Sequence, residues 1–288
     1  MGQKGEYSYS ASVKSAVSDE LINTYLLRPV AGLIVRLLYR TPVTPNQVTV
    51  ASTVAGLCAA LFYLGGTSGS IAAAGLLVTL KDVLDSADGQ LARARNQYTR
   101  IGRFLDSIGD FVVDLAVFSA IGWVLYKSSG EPVMLLFAFL GFVGITLRVS
   151  YHVFYHTSFL HQEDKYKINR VTEELREEDR AAGALTIELQ EIFQALYGWQ
   201  DKMMLKIDHW CRKGMEGDDF LARWYSDIPA LRFSGFLGFG TELFLLMLCS
   251  IFNELELYLY LNVFLMNGIL LLSVAYRRAF LWEKLRSV

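Results

Sequence analysis

The sequence predicts an all-α, polytopic membrane protein, and three observations predict it. Hydrophobic residues make up 53% of the 288, while charged residues make up only 19%. Mean hydropathy is +0.31, positive over the whole chain. The apolar residues are also not dispersed: they gather in runs of about 20, the length that crosses a hydrocarbon core of roughly 30 Å.

The elements follow in order. Residues 1–18 read as a loosely held tail. Residues 19–40 carry Leu21, Leu26, Leu27, Leu33, Ile34, Leu37 and Leu38 toward one side, with Arg28, Arg36 and Arg40 placed to reach headgroups. This pattern predicts an interfacial amphipathic helix kinked at Pro29. The first span has a clean start, with Thr44 as N-cap, Pro45 at the first helical position and Gln47 closing a capping box. Spans are expected at 47–66, 70–93, 100–126, 132–156, 230–252 and 257–279, six in all.

Residues 158–228 break the hydrophobic pattern. Charges crowd at 173–180, where 171–181 reads as a solvated helix face. Periodic apolar residues from Leu185 through Ile192 and Leu196 to Trp199 predict a helix over 183–212. The segment is expected to be a cytoplasmic helical insertion between spans four and five, its apolar stripe packed on protein or on the membrane surface. The predicted organisation is therefore a tail (1–18), the interfacial helix with spans one to four (19–157), the insertion (158–228), and spans five and six with a cytoplasmic C-terminus (229–288).

Charge places these elements. The loops at 66–70, 127–131 and 253–256 hold one basic residue, Lys127, whereas the opposite side carries Arg93, Arg95, Arg100, Arg103, Arg277 and Arg278. The positive-inside rule then puts both termini, and the mouth of the motif described next, in the cytoplasm. The expected membrane is the plasma membrane in a bacterium or archaeon and the endoplasmic reticulum in a eukaryote. A net charge of −2 gives no reason to expect a nucleic-acid partner. Cys58, Cys211 and Cys249 lack metal-ligand spacing and imply no disulfide framework.

Four carboxylates interrupt the apolar sequence in two close pairs. Asp85 and Asp88 are three apart near the end of span two, and Asp106 and Asp110 are four apart near the start of span three, so each pair shares a helix face. A short connection near 94–99 makes the two helices antiparallel neighbours. Carboxylates in membrane segments are costly and default to function, and four facing each other make an oxygen cage for one or two hard divalent cations. Gly89, Ala92 and Gly102 remove bulk where the helices converge, and Arg93 adds a cation at the mouth. Asp82 and Asp114 lie outside this pattern and are expected to support it structurally, with Asp82 within reach of Lys81.

The full pattern reads Asp85-x2-Asp88-Gly89-x2-Ala92-Arg93-x8-Gly102-x3-Asp106-x3-Asp110. It resembles the signature of the CDP-alcohol phosphotransferase family at all eight fixed positions with every spacing kept. The resemblance implies transfer of a substituted phosphate from a CDP-alcohol to a second alcohol, with release of CMP. CDP-diacylglycerol is the favoured donor, which would make the reaction a step of phospholipid biosynthesis. It implies Mg²⁺ or Mn²⁺, two ions, held by Asp85, Asp88, Asp106 and Asp110, with Asp110 also the general base for the acceptor hydroxyl. Gly89, Ala92, Arg93 and Gly102 would shape the CDP site, and Asn46 would reach the donor phosphates. The expected partners are a CDP-linked donor, an alcohol acceptor, the lipid bilayer and a second copy as homodimer.

Arg148, His152 and His156 repeat every four residues on span four. They are candidates for a phosphorylated acceptor, against a role as interfacial cations reaching for headgroups. Glu242 and Asn267 are expected to form interhelical hydrogen bonds. Other readings are a choline or ethanolamine phosphotransferase using diacylglycerol, an intramembrane prenyltransferase, whose two Asp-rich motifs lie far apart, and an ion-coupled transporter, which would show inverted repeats.

Overall fold

In the computed structural model, which describes residues 7–12, 20–163 and 183–286, the described residues form helices and connecting turns with no strand. Among the described residues, five helices are long and apolar enough to cross a membrane: Pro45–Leu64, Arg100–Ser129, Val133–Gln162, Ile228–Ile251 and Leu255–Arg286. The protein is a multi-pass α-helical membrane protein. The second predicted span, 70–93, is present as the 28-residue helix Ser68–Arg95. By composition it does not qualify as a span, because Lys81, Asp82, Asp85 and Asp88 load its second half with charge. The predicted charged face at 171–181 and most of the tail at 1–18 lie outside the described residues.

The chain divides into two compact units. The first comprises 21–142 and 240–260 together with the N-terminal segment. Its first helix, α1 (Arg28–Leu38), follows a π-helical turn over Asn23–Leu27. Pro29 has no N–H to continue the regular ladder, which accounts for a change of helix type at this position. The apolar residues of α1 divide between two faces. Leu27, Ala31 and Val35 are buried against Val83, Ala87 and Leu91, while Leu26, Leu33 and Leu37 are exposed.

Helix α2 (Pro45–Leu64) begins with the expected capping box: the Thr44 hydroxyl accepts from the Gln47 N–H, and the Gln47 side chain accepts from the Thr44 N–H at 2.9 Å. It packs along both α3 (Ser68–Arg95) and α4 (Arg100–Ser129). Small residues allow this fit. A Cβ on Gly56 would lie 2.5 Å from the Val113 side chain, and one on Gly109 would lie 2.5 Å from the Thr53 hydroxyl. Asn96, in the left-handed conformation at φ 55°, ends α3, and Thr99 caps α4 by accepting from the Gly102 N–H at 3.0 Å. The turn between them is thus four residues, 96–99. Arg95 fastens the loop after α1 by donating to the carbonyls of Leu38, Tyr39, Thr41 and Val43. Within this unit Glu242 accepts from the Tyr258 hydroxyl at 3.3 Å, the interhelical bond that its position in an apolar span demands.

The second unit comprises the described residues of 143–239 and 261–286, with Glu20. It holds most of α5 (Val133–Gln162), α6 (Ala184–Cys211), α7 (Asp218–Tyr225), α8 (Ile228–Gly235) and the later part of the helical rod Leu255–Arg286. The predicted helix at 183–212 is therefore α6, within two residues at its ends. The unit is organised around one buried carboxylate. Asp208 accepts from the Tyr155 hydroxyl at 3.1 Å, Trp224 Nε1 at 2.8 Å, the Tyr225 hydroxyl at 2.9 Å and Arg212 Nε at 2.8 Å. The Arg277 guanidinium lies 3.4 Å over the Tyr155 ring. Burial, reinforced by Asp208, pushes the Cys211 thiol up to about 11, in keeping with a packed rather than reactive cysteine.

Candidate active site

Helix periodicity places Lys81, Asp85, Asp88 and Ala92 along one face of α3, and Gly102, Asp106, Asp110 and Asp114 along one face of α4. One oxygen each from Asp85, Asp88 and Asp106 lies within 4.8 Å of the others. Asp88 is buried and the other two partly so. Two like charges at that separation repel by about 3–4 kcal/mol at an effective dielectric near 20. A cation held between three carboxylates gathered in this way would relieve that repulsion, and an all-oxygen donor set suits a hard divalent one. Asp106 Oδ1 is buried and accepts no hydrogen bond, which leaves a lone-pair position for a metal ligand bond. The residues present therefore fit a magnesium- or manganese-type ion.

Asp110, the fourth carboxylate, has a different neighbour. Its Oδ1 forms an ion pair with the Lys81 ammonium, whose side chain is 3% exposed against 14% for Asp110. The sequence offered Lys81 to Asp82; Lys81 also reaches across to Asp110 on α4. Asp82 and Asp114 are also buried and lie close enough to Lys81 to feel its charge. Lys81 thus sits among the carboxylates beneath the cage.

Helix α2 supplies the third wall. The Thr49 hydroxyl donates to Asp88 Oδ2, orienting that carboxylate, and Thr53 donates to the Thr49 carbonyl at 3.1 Å. The Ser52 hydroxyl donates to the Lys81 carbonyl at 2.8 Å. Asn46 Oδ1 accepts from the Thr99 hydroxyl at 3.4 Å, and a Cβ on Gly102 would come within 2.5 Å of it. Asn46 and Gly102 are therefore neighbours across α2 and α4, while Gly89 lies under the Arg93 guanidinium, 3.2 Å from a would-be Cβ. Arg93 also donates to the backbone carbonyl of Ser12, which ties the N-terminal segment to the mouth of the motif. Gly102→Ala would force Asn46 to move, with an overpacking cost of about 1–3 kcal/mol. The expected result is weaker CDP binding with the helical fold intact, checked by calorimetry and circular dichroism.

Thr49 is the residue that the sequence reading passed over, and Lys81 was read only as a neighbour of Asp82. Each had a signal: Asn46, Thr49 and Thr53 form a polar stripe at three- and four-residue steps on an otherwise apolar span, and Lys81 stands one turn before Asp85.

The proposed acceptor residues belong to the second unit. Arg148 is fully buried, and its Nη1 donates to Asn267 Oδ1 at 2.7 Å and to the Asn262 carbonyl at 3.1 Å. These bonds reach a π-helical stretch, Leu261–Met266, and the residue after it. His152 and His156 are nearly buried, with ring centroids 5.7 Å apart.

Residues 42–171 match the sequence profile of the CDP-alcohol phosphatidyltransferase family. Among curated relatives, the chain is 34% identical over 142 residues to a bifunctional IPC transferase and DIPP synthase of Thermococcus kodakarensis, covering 48% of this chain and 31% of the relative. It is 36% identical over 113 residues to the phosphatidylinositol phosphate synthase of Corynebacterium glutamicum, covering 39% and 49%. It is 40% identical over 86 residues to the enzyme of the same name in Mycobacteroides abscessus, covering 30% and 38%. The matched parts thus span half or less of these relatives.

Proposed function

We propose, from the match of residues 42–171 to the CDP-alcohol phosphatidyltransferase family, that the protein transfers a substituted phosphate from a CDP-alcohol to an alcohol acceptor, releasing CMP. The observation that carries this reading is the convergence of Asp85, Asp88 and Asp106 on one point, within the profile match. The favoured donor is CDP-diacylglycerol. Relatives named for phosphatidylinositol phosphate synthesis support a phosphorylated polyol as acceptor.

Asp85, Asp88 and Asp106 would hold divalent metal, with Asp110 beside them. Magnesium or manganese bound there would offset charge on the diphosphate and on the leaving CMP oxygen. The chain's own groups set the geometry. Thr49 fixes the orientation of Asp88, so that its second oxygen stays directed into the cage. Lys81 engages one oxygen of Asp110, leaving Oδ2 as the atom that takes the acceptor hydroxyl's proton. Gly89 and Gly102 let a nucleotide approach the helix backbones, with Asn46 and Arg93 at its phosphates. Arg148, His152 and His156 are the proposed acceptor-side groups. Homodimerisation and a cytoplasmic opening of the site complete the proposal.

The test is CMP release by the purified protein with magnesium or manganese. CDP-diacylglycerol would be offered with inositol phosphate, glycerol phosphate, inositol or serine. The expected result is release with one phosphorylated acceptor, abolished by chelation. Release only from CDP-choline or CDP-ethanolamine with diacylglycerol would move the protein to the other branch of the family. No release from any pairing would remove the enzymatic reading.

A further inference from the structure

Helix α6 has three distinct sides. Its inward face is polar: Thr186, Gln190, Gln200 and Asp208 are buried, with Met204 and Cys211. Gln200 accepts from the Ser150 hydroxyl, and Asp208 is the four-donor hub described above. One flank, about 100° round the helix from that buried face, is an apolar stripe. Leu185, Leu189, Ile192, Leu196 and Trp199 fall within about 40° of one line on the helix. Leu185, Ile192 and Trp199 are 58%, 46% and 52% exposed. A helix with water on every outward side would not carry a large apolar flank.

What covers the stripe is indicated at the end of the helix. The Trp210 ring lies 4.2 Å under the Arg278 guanidinium, and Arg278 donates to the Trp210 carbonyl. Trp282 Nε1 donates to the Arg212 carbonyl at 3.1 Å, and the Lys213 ammonium lies 3.4 Å over the Trp282 ring. Arg278 and Trp282 belong to the polar end of the span Leu255–Arg286. Indoles stacked with Lys and Arg at a span's end mark the headgroup level of a bilayer. The C-terminus of α6 is thus pinned at that level, and the charged side of the helix, with Glu188, Glu191, Lys202 and Lys206, is separate from the apolar stripe.

We propose that α6 lies in the bilayer–water interface, its Leu185–Trp199 stripe seated among the acyl chains just below the phospholipid headgroups, as a second membrane-surface element besides the spans. A large apolar face, a separate charged face and interfacial tryptophans are what such a placement requires. The inference does not depend on the reaction assigned to the first unit.

The chain supplies its own probes. The full-length protein would be placed in nanodiscs of phosphatidylcholine and phosphatidylglycerol, with or without bromine on the upper acyl chain, and tryptophan emission would be measured. The Trp199 component is the difference between wild type and Trp199→Phe. Trp123, 47% exposed on a span, is the lipid-facing reference, and Trp224, fully buried, is the shielded one. The expected result is bromolipid quenching of Trp199 equal to that of Trp123, with little quenching by aqueous iodide. Two results would overturn the proposal. Iodide quenching without bromolipid quenching would leave the stripe in water. Resistance to both, like Trp224, would mean that protein covers it, a second copy included. Trp199→Tyr serves if the Phe variant is unstable.

Discussion

Asp110→Asn is expected to lower CMP release by about 10²- to 10⁴-fold, the range for loss of a positioned general base, while CDP binding is retained. The substitution keeps the shape of the side chain and removes its capacity to take a proton. It also removes the charge opposite Lys81, so Lys81→Met alone and with Asp110→Asn belongs in the same series. If the two act as one unit, the double variant loses little beyond the Asp110 single variant. Turnover within a few-fold of wild type in Asp110→Asn would show that the acceptor's proton goes elsewhere. Asp106→Asn should differ in kind: it alters a cage oxygen, so metal and CDP binding fall along with turnover.

Asp208→Ala is expected to cost about 3–5 kcal/mol of stability, the effect of breaking a buried charged pair from one side. The carboxylate is completely buried and takes hydrogen bonds from four side chains on α5, α6 and α7. Its removal orphans the nearly buried Arg212 and three polar aromatic atoms at once. Thermal unfolding in detergent should show the second unit melting at markedly lower temperature, with Asp208→Asn intermediate because it can still accept. Near-wild-type stability for Asp208→Ala would mean that the hub is dispensable.

The legible parts of this chain were the local ones. The capping box at Thr44 and Gln47 lies within four residues, and the spans announce themselves by apolar length. The cage was legible because helix periodicity converts Asp85-x2-Asp88 and Asp106-x3-Asp110 into shared faces, and a four-residue turn brings the faces together. Helix ends were less legible: the helices containing spans three and four run to Ser129 and Gln162, beyond the apolar runs, because a helix need not stop where the hydrocarbon does. Span two is the same effect inverted, its functional charges diluting the apolar signal that marks the others. The Asp208 hub was illegible because its partners come from Tyr155, Arg212, Trp224 and Tyr225, a set only tertiary folding assembles. Lys81 shows the limit of reading along one helix: one of its partners, Asp110, stands on the next.

The most direct test of the central claim is Mn²⁺ binding to the purified protein, followed by electron paramagnetic resonance with and without CDP, for wild type and Asp106→Asn. The account predicts saturable Mn²⁺ binding that tightens with CDP in the wild type and is lost in Asp106→Asn, with helical content unchanged. Equal binding by both proteins would contradict it, since the oxygens of Asp85, Asp88 and Asp106 would then not be the ligands.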